Sequence, residues 1–171
     1  QHGWEVWGLG THDEVGDARY RRVDLADGEG LRTVLAELRP DAVVHLAAIT
    51  FVGHDNADAF YQVNLIGTRK LLAALAACDK TPECVLLASS ANVYGNTTAG
   101  MLDESTPARP ANDYAVSKLA MEYMARLWAD SLPIVITRPF NYAGVGQAES
   151  FLLPKIVGHF RRGAQVIELG N

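Results

Sequence analysis

Glu83-Cys84-Val85-Leu86-Leu87-Ala88-Ser89-Ser90 is an apolar run that ends in two small hydroxyl residues. A short unbroken run of this kind reads as a strand buried on both faces, and so as part of a parallel sheet covered by helices. In open sheets of that type, ligands bind at the C-terminal ends of the strands. Ser90 therefore stands where a hydroxyl can meet a substrate oxygen. Farther on, Asp113-Tyr114-Ala115-Val116-Ser117-Lys118 opens a periodic helix from Asn112 to Ser131. Its expected buried stripe is Val116, Leu119, Ala120, Tyr123, Met124 and Leu127, and Asn112 or Asp113 is its expected N-cap. Tyr114 and Lys118 are four residues apart and project side by side. An ammonium beside a phenol favours the phenolate and lowers its pKa from about 10. A tyrosine tuned that way exchanges a proton with a substrate oxygen near neutral pH. Tyr-x-x-x-Lys alone is common; the serine at the strand tip turns it into a three-part catalytic candidate.

The rest of the chain supplies matching units. Ala42 to Leu46 is a second continuous apolar strand, and Ala47-Ala48 at its tip are small enough for close backbone approach to a cofactor. His45, inside that run, reads as a packed core histidine. Trp4 to Leu9 reads as a strand, Arg22 to Asp27 as a short strand and turn, and Pro133 to Thr137 as another strand. Gly30 to Leu38 is a helix with Leu31, Val34, Leu35 and Leu38 on one face. Asp58 to Cys78 is a long helix with Phe60, Val63, Leu71, Leu72 and Leu75 inward, a further helix starts near Leu152, and Val166 to Leu169 begins a strand. Strands alternating with helices predict an α/β fold with a parallel sheet. Asn64 falls in mid-helix, where asparagine is mildly unfavourable. It is either exposed or holds the neighbouring strand or the active-site lysine. His54, in the loop from Ile49 to Asn56, is a further ligand candidate.

The 171 residues are 49% hydrophobic, enough for one domain with a core and unlike a disordered chain. The net charge is −5, and Arg19, Arg21 and Arg22 read as a solvated turn, so nucleic acid is not an expected partner. No apolar run approaches the ~20 residues a membrane-spanning helix needs, and no signal peptide is legible. Cys78 and Cys84 lack metal-ligand spacing and read as buried thiols of a reducing, cytoplasmic compartment; no metal site is expected.

Five segments, in order and spacing, resemble the extended short-chain dehydrogenase/reductase family, in its branch of NAD-dependent nucleotide-sugar epimerases and dehydratases. They are Val43-Val44-His45-Leu46-Ala47-Ala48, Asn64-Leu65-Ile66-Gly67-Thr68, Ser89-Ser90-Ala91-Asn92-Val93-Tyr94-Gly95, Tyr114-Ala115-Val116-Ser117-Lys118 and Arg138-Pro139-Phe140-Asn141. The resemblance implies a Rossmann-type doubly wound parallel sheet over residues 1–143 and the beginning of a smaller substrate-binding region over 144–171. The family's first strand and its Gly-x-x-Gly-x-x-Gly turn, which brings backbone to the pyrophosphate, should precede Trp4. Gly3, Gly8 and Gly10 flank a strand and do not supply that turn, so the chain is expected to lack the first βα unit and to be cut at both ends.

The resemblance also assigns roles. Tyr114 becomes the acid/base, Lys118 lowers its pKa and holds the ribose, and Ser90 orients the substrate oxygen. The implied cofactor is NADP or NAD. Asp24 and Leu25 would lie along the adenine, and Leu46, Ala47, Ala48, Asn64, Ser89 and Pro139 would join Tyr114 and Lys118 around the rest. Asn92, Asn141 and Arg161 would face a nucleotide-sugar substrate, although Arg161-Arg162 would equally serve to cap a helix C-terminus. Gly10-Thr11-His12 stands where an acid usually binds the ribose of NAD, which leans toward NADP unless Gly10 only makes a turn. Asn92 occupies the place of the glutamate that dehydratases of this pattern use as a base. An amide has no useful basicity, which counts against dehydration. The run from Arg138 to Gln147 looks most like the reductases of GDP-4-keto-6-deoxy-mannose. A 4-epimerase would need the same three residues. A non-catalytic nucleotide-binding member is the alternative from another class, but such a protein needs no proton donor. A homodimer through the helices at 58–78 and 112–131 is implied as well, with Met121, Trp128 or Leu75 serving either that contact or the core.

Overall fold

Among the described residues of the computed structural model (3–13, 18–50, 56–97 and 100–167), all strand pairing is parallel. β1 (Gly8–Gly10) pairs with β2 (Tyr20–Arg22). β3 (Ala42–His45), β4 (Cys84–Ala88) and β5 (Ile134–Thr137) form a second sheet, with Val43 opposite Val85 and Val85 opposite Ile134. Helices run between the strands: α1 (Gly28–Leu38), α2 (Asp58–Phe60) continuing through a π-helical segment Tyr61–Gly67 into α3 (Thr68–Ala76), then α4 (Asp113–Arg126). Two parallel sheets, β1–β2 and β3–β4–β5, stand where the sequence predicts one, because among the described residues no backbone ladder joins β1 or β2 to β3, β4 or β5.

The core joins α1, α3, α4 and the second sheet. Leu31 and Leu35, Leu71, Leu72 and Leu75, Val85 and Leu87, and Met121 are all buried in one cluster, each large side chain contributing roughly 2 kcal/mol. Asp27 caps α1 by accepting from the Gly30 N–H at 2.9 Å, and Asn112 caps α4 by accepting from Ala115 N–H at 2.8 Å. Such caps stabilise by about 1 kcal/mol each. The expected strand from Trp4 to Leu9 is shorter than predicted. Only Gly8–Gly10 joins a ladder, because β2 offers three partners, and Trp4 and Val6 are exposed.

The helix carrying Tyr114 turns a different face inward from the one predicted. Val116, Tyr123 and Leu127 are 38%, 59% and 83% exposed, whereas Tyr114, Ser117, Lys118, Met121 and Glu122 are buried. The polar members of that face find partners on other elements, which hydropathy along one helix does not register. Of the two roles the sequence leaves open for Met121, Leu75 and Trp128, the structure shows core packing: Met121 and Leu75 belong to the core and Trp128 packs against it.

The chain divides into a unit ending at Pro139 and a second from Phe140. The second contains α5 (Leu152–Arg161), with Arg162 donating to Glu149 at 2.8 Å. Val166 and Ile167 form no strand, and the remainder of the strand expected there lies outside the described residues, as does His54. No helix among the described residues is long and apolar enough to cross a membrane.

Candidate active site

β4 ends at Ala88, and the chain turns through Ser89 and Ser90 into a 3₁₀ turn, Ala91–Tyr94. Ser90 caps that turn: its Oγ accepts from the Asn92 N–H at 3.2 Å and keeps its own O–H to donate. The turn is pinned at both ends. Ala91 N–H donates to the Pro139 carbonyl at 3.0 Å, and Gly95 takes φ +68° where a Cβ would overlap the Arg109 carbonyl oxygen. Only glycine meets both demands.

Lys118 lies on the buried face of α4, one turn after Tyr114, and is 5% exposed. Its Nζ donates to the Ala88 carbonyl at 2.7 Å, which ties the helix to the end of the strand that carries Ser90. Burial lowers its pKa to about 8. Tyr114 is buried too, with its ring edge-on to Phe60 at 6.2 Å between centroids. The Lys118 bond therefore brings the buried face of α4, which also carries Tyr114, to the strand tip beside Ser90.

Asn64 sits in the π-helical segment, the kind of local widening that recurs at functional sites. Its Oδ1 accepts from Ile49 N–H at 2.9 Å, and its Nδ2 donates to the Ile49 carbonyl at 3.1 Å and to Ser117 Oγ at 3.0 Å. Ser117 Oγ donates in turn to the Tyr114 carbonyl at 2.8 Å. One asparagine thus joins the loop after β3 to the first turn of α4, and its side chain is fully engaged by protein. Next to it, Thr68 Oγ1 donates to the Asn64 carbonyl and lies 2.9 Å from His45 Nε2. With its proton given to Asn64, Thr68 accepts from His45, so the imidazole carries its hydrogen on Nε2. Burial first and the Lys118 charge second lower the His45 pKa to about 4, and it is neutral at pH 7.

Behind the strand tip lies a network that reading the sequence missed. Glu122 is 2% exposed. It accepts from Ser89 Oγ and from Arg138, through Nε at 2.9 Å and Nη2 at 2.6 Å; Arg138 Nη1 donates to Tyr94 Oη at 3.1 Å. The Glu122 hydrogen bonds raise the Arg138 pKa above its ordinary value. Ser89, expected at the cofactor, has its hydroxyl committed to Glu122. The signal was present in the spacing: Tyr114, Lys118 and Glu122 recur every four residues on one face.

The other expected residues are dispersed. Asp24 is exposed and accepts from Ala26 N–H at 2.8 Å; Leu25 packs on Gly67, whose lack of a Cβ permits the approach. Leu46 and Ala47 are exposed past the end of β3 with Ala48 half-buried, and Asn92 is exposed on the 3₁₀ turn. Asn141 and Arg161 are exposed in the second unit.

Residues 9–171 match the family model described as GDP-mannose 4,6 dehydratase. The chain is 40% identical over 149 residues, 87% of its length and 51% of the relative's, to the GDP-6-deoxy-D-talose 4-dehydrogenase of Aggregatibacter actinomycetemcomitans. It is 37% identical over 162 residues, 88% of its length and 52% of the relative's, to the GDP-6-deoxy-D-mannose reductase of Pseudomonas aeruginosa. A crystallised Burkholderia cenocepacia J2315 protein, provisionally described as an epimerase, is 56% identical with TM-score 0.89, covering 99% of this chain and 56% of that one. The structure of RMD from Pseudomonas aeruginosa complexed with NADPH is 32% identical with TM-score 0.73, covering 88% and 56%. The chain spans about half the length of the curated relatives it matches.

Proposed function

Since the chain belongs to the GDP-mannose 4,6 dehydratase family of nucleotide-sugar enzymes, we propose that it acts as an NAD(P)-dependent oxidoreductase at C4 of a nucleotide sugar. Its substrate is a GDP-4-keto-6-deoxy sugar, which it reduces. The observation that carries this reading is Lys118, a buried ammonium one helical turn from Tyr114 and tied to the tip of the strand that leads to Ser90. A binding-only protein would have no use for it. The names of the talose dehydrogenase and mannose reductase relatives support the sugar and the C4 position.

The residues fit a nicotinamide ribose. Lys118 Nζ uses one of its three N–H groups on Ala88 and has two left for ribose hydroxyls. When bound, the reduced nicotinamide supplies the hydride that adds to the C4 carbonyl carbon. Tyr114 gives its phenolic proton to the carbonyl oxygen, which becomes the C4 hydroxyl. Lys118 stabilises the phenolate left behind, and Ser90 donates its free O–H to the same oxygen and orients it. Asn64 and Ser117 keep the start of α4 in register with the loop after β3. Pro139 would line the nicotinamide, Leu46 to Ala48 the middle of the cofactor, and Asp24 with Leu25 the adenine; Asn92 would face the sugar nucleotide. NADP is favoured by Gly10, and the NADPH held by RMD agrees.

Although the family model is named for a dehydratase, Asn92 argues against that activity here, since its amide cannot take the C5 proton. A 4-epimerase is the second reading, favoured by the provisional description of the Burkholderia protein. NADPH absorbance decides between them in the full-length protein given GDP-4-keto-6-deoxy-mannose. A reductase consumes cofactor one for one, and unchanged absorbance refutes the reductase reading. The exposed stripe of Val116, Tyr123 and Leu127 supports a homodimer through α4. The free thiols Cys78 and Cys84 support a cytoplasmic setting.

A further inference from the structure

The carboxylate of Glu122 is the meeting point of three elements. It stands on α4 one turn past Lys118, accepts from Ser89 at the tip of β4, and forms a two-point bond with Arg138 at the tip of β5. Arg138 reaches on to Tyr94 in the 3₁₀ turn that Ser90 caps, and the next residue, Pro139, accepts from Ala91. With Ser89, Arg138 Nε and Arg138 Nη2 all donating to it, both carboxylate oxygens are satisfied without solvent. A buried pair of this kind adds little net stability, and apolar replacements of similar volume often do as well or better. What it does supply is geometry, because two fork-shaped groups meet in one arrangement only.

We infer that Glu122 is a positioning residue of the active site, which through Ser89 and Arg138 holds Ser90 at a set distance from Tyr114 and Lys118. Ser89 is covalently next to Ser90, so any slackness at Glu122 passes directly to the hydroxyl that orients the substrate oxygen. This inference rests on the proposed oxidoreductase reading. Displacements of about 1 Å at reacting groups reduce rates by about 100-fold.

The test compares wild type, Glu122→Gln, Ser89→Ala and the paired Glu122→Leu/Arg138→Met in the full-length enzyme. NADPH oxidation, NADPH affinity and thermal stability are measured well below every melting temperature. Glu122→Gln sets an amide N–H against Arg138 and is expected to lower kcat about 10- to 100-fold, with KM and cofactor affinity within about twofold. Ser89→Ala removes one bond, and a fall in kcat of a few fold with an unaltered melting temperature is expected. The paired apolar variant is expected to recover the melting temperature but not kcat. Recovery of kcat together with stability would make the network purely structural and overturn the inference. So would Glu122→Gln and Ser89→Ala retaining wild-type kcat. A wild type that leaves NADPH untouched refutes the reductase reading instead, and this inference falls with it.

Discussion

Replacing Lys118 by methionine should make the protein more stable and inactive, and the gain should depend on pH in a defined way. In the cofactor-free protein, burial lowers the lysine from its ordinary 10.5 to about 8. That difference corresponds to about 3 kcal/mol of penalty on the folded state. The penalty is whole below pH 8, where the lysine is charged in both folded and unfolded chains. It declines between about 8 and 10.5, where the folded protein has released a proton that the unfolded chain still holds. By pH 9.5 about 2 kcal/mol of it has gone. Methionine fills the same volume without charge but loses the 2.7 Å bond to the Ala88 carbonyl, which costs about 1 kcal/mol. Lys118→Met is therefore expected to gain about 2 kcal/mol at pH 7 and nearly nothing at pH 9.5. Urea unfolding of both proteins at the two pH values gives the difference directly from midpoints and slopes. A variant that is destabilised at pH 7, or whose difference from wild type does not change with pH, would refute the reasoning. On the proposed reading, that cost is kept because the charge serves the reaction.

Tyr114→Phe should lower turnover by about 100-fold or more, as expected for loss of a general acid, and leave NADPH affinity within about twofold; equal loss of binding would mark the tyrosine as structural. His45 should remain neutral until pH approaches 4, and because its folded pKa lies below the unfolded value, stability tied to it is lost as pH falls from about 6.5 toward 4. An NMR titration of its ring with a midpoint near 6.5 would contradict this. Gly95→Ala should destabilise by about 2 kcal/mol or more, since it forces a left-handed side chain against the Arg109 carbonyl; an unchanged melting temperature would show that the 3₁₀ turn adapts. Leu127→Glu with Tyr123→Glu should give monomers in light scattering if α4 is the dimer contact, and a persistent dimer would place the interface elsewhere.

The order of strands and helices, the parallel sheet and an N-cap at Asn112 or Asp113 were legible along the chain, because each rests on local signals: apolar run length, helical period and capping chemistry; the structure places the cap at Asn112. That Tyr114 and Lys118 share one face of a helix was legible for the same reason, being one helical turn apart. The inward face of α4 was not. Hydropathy selected Val116, Tyr123 and Leu127, yet the buried side carries Ser117, Lys118 and Glu122. A polar side chain is buried when partners meet it, and here they come from Ala88, Asn64 and Arg138, on separate elements. The π-helical segment was equally hidden, since no residue preference separates it from ordinary helix; its consequence is an Asn64 whose amide binds Ile49 and Ser117.

From its sequence alone, the chain was an α/β protein with a serine at one strand end and a tyrosine and a lysine one helical turn apart, because those features depend on neighbours within a turn or at one strand end. The tertiary structure decided which polar groups lie inside, that Ser89 serves Glu122, and that Lys118 is held at Ala88. Those depend on hydrogen bonds between residues 16 to 53 positions apart, and no local pattern encodes a partner at that distance.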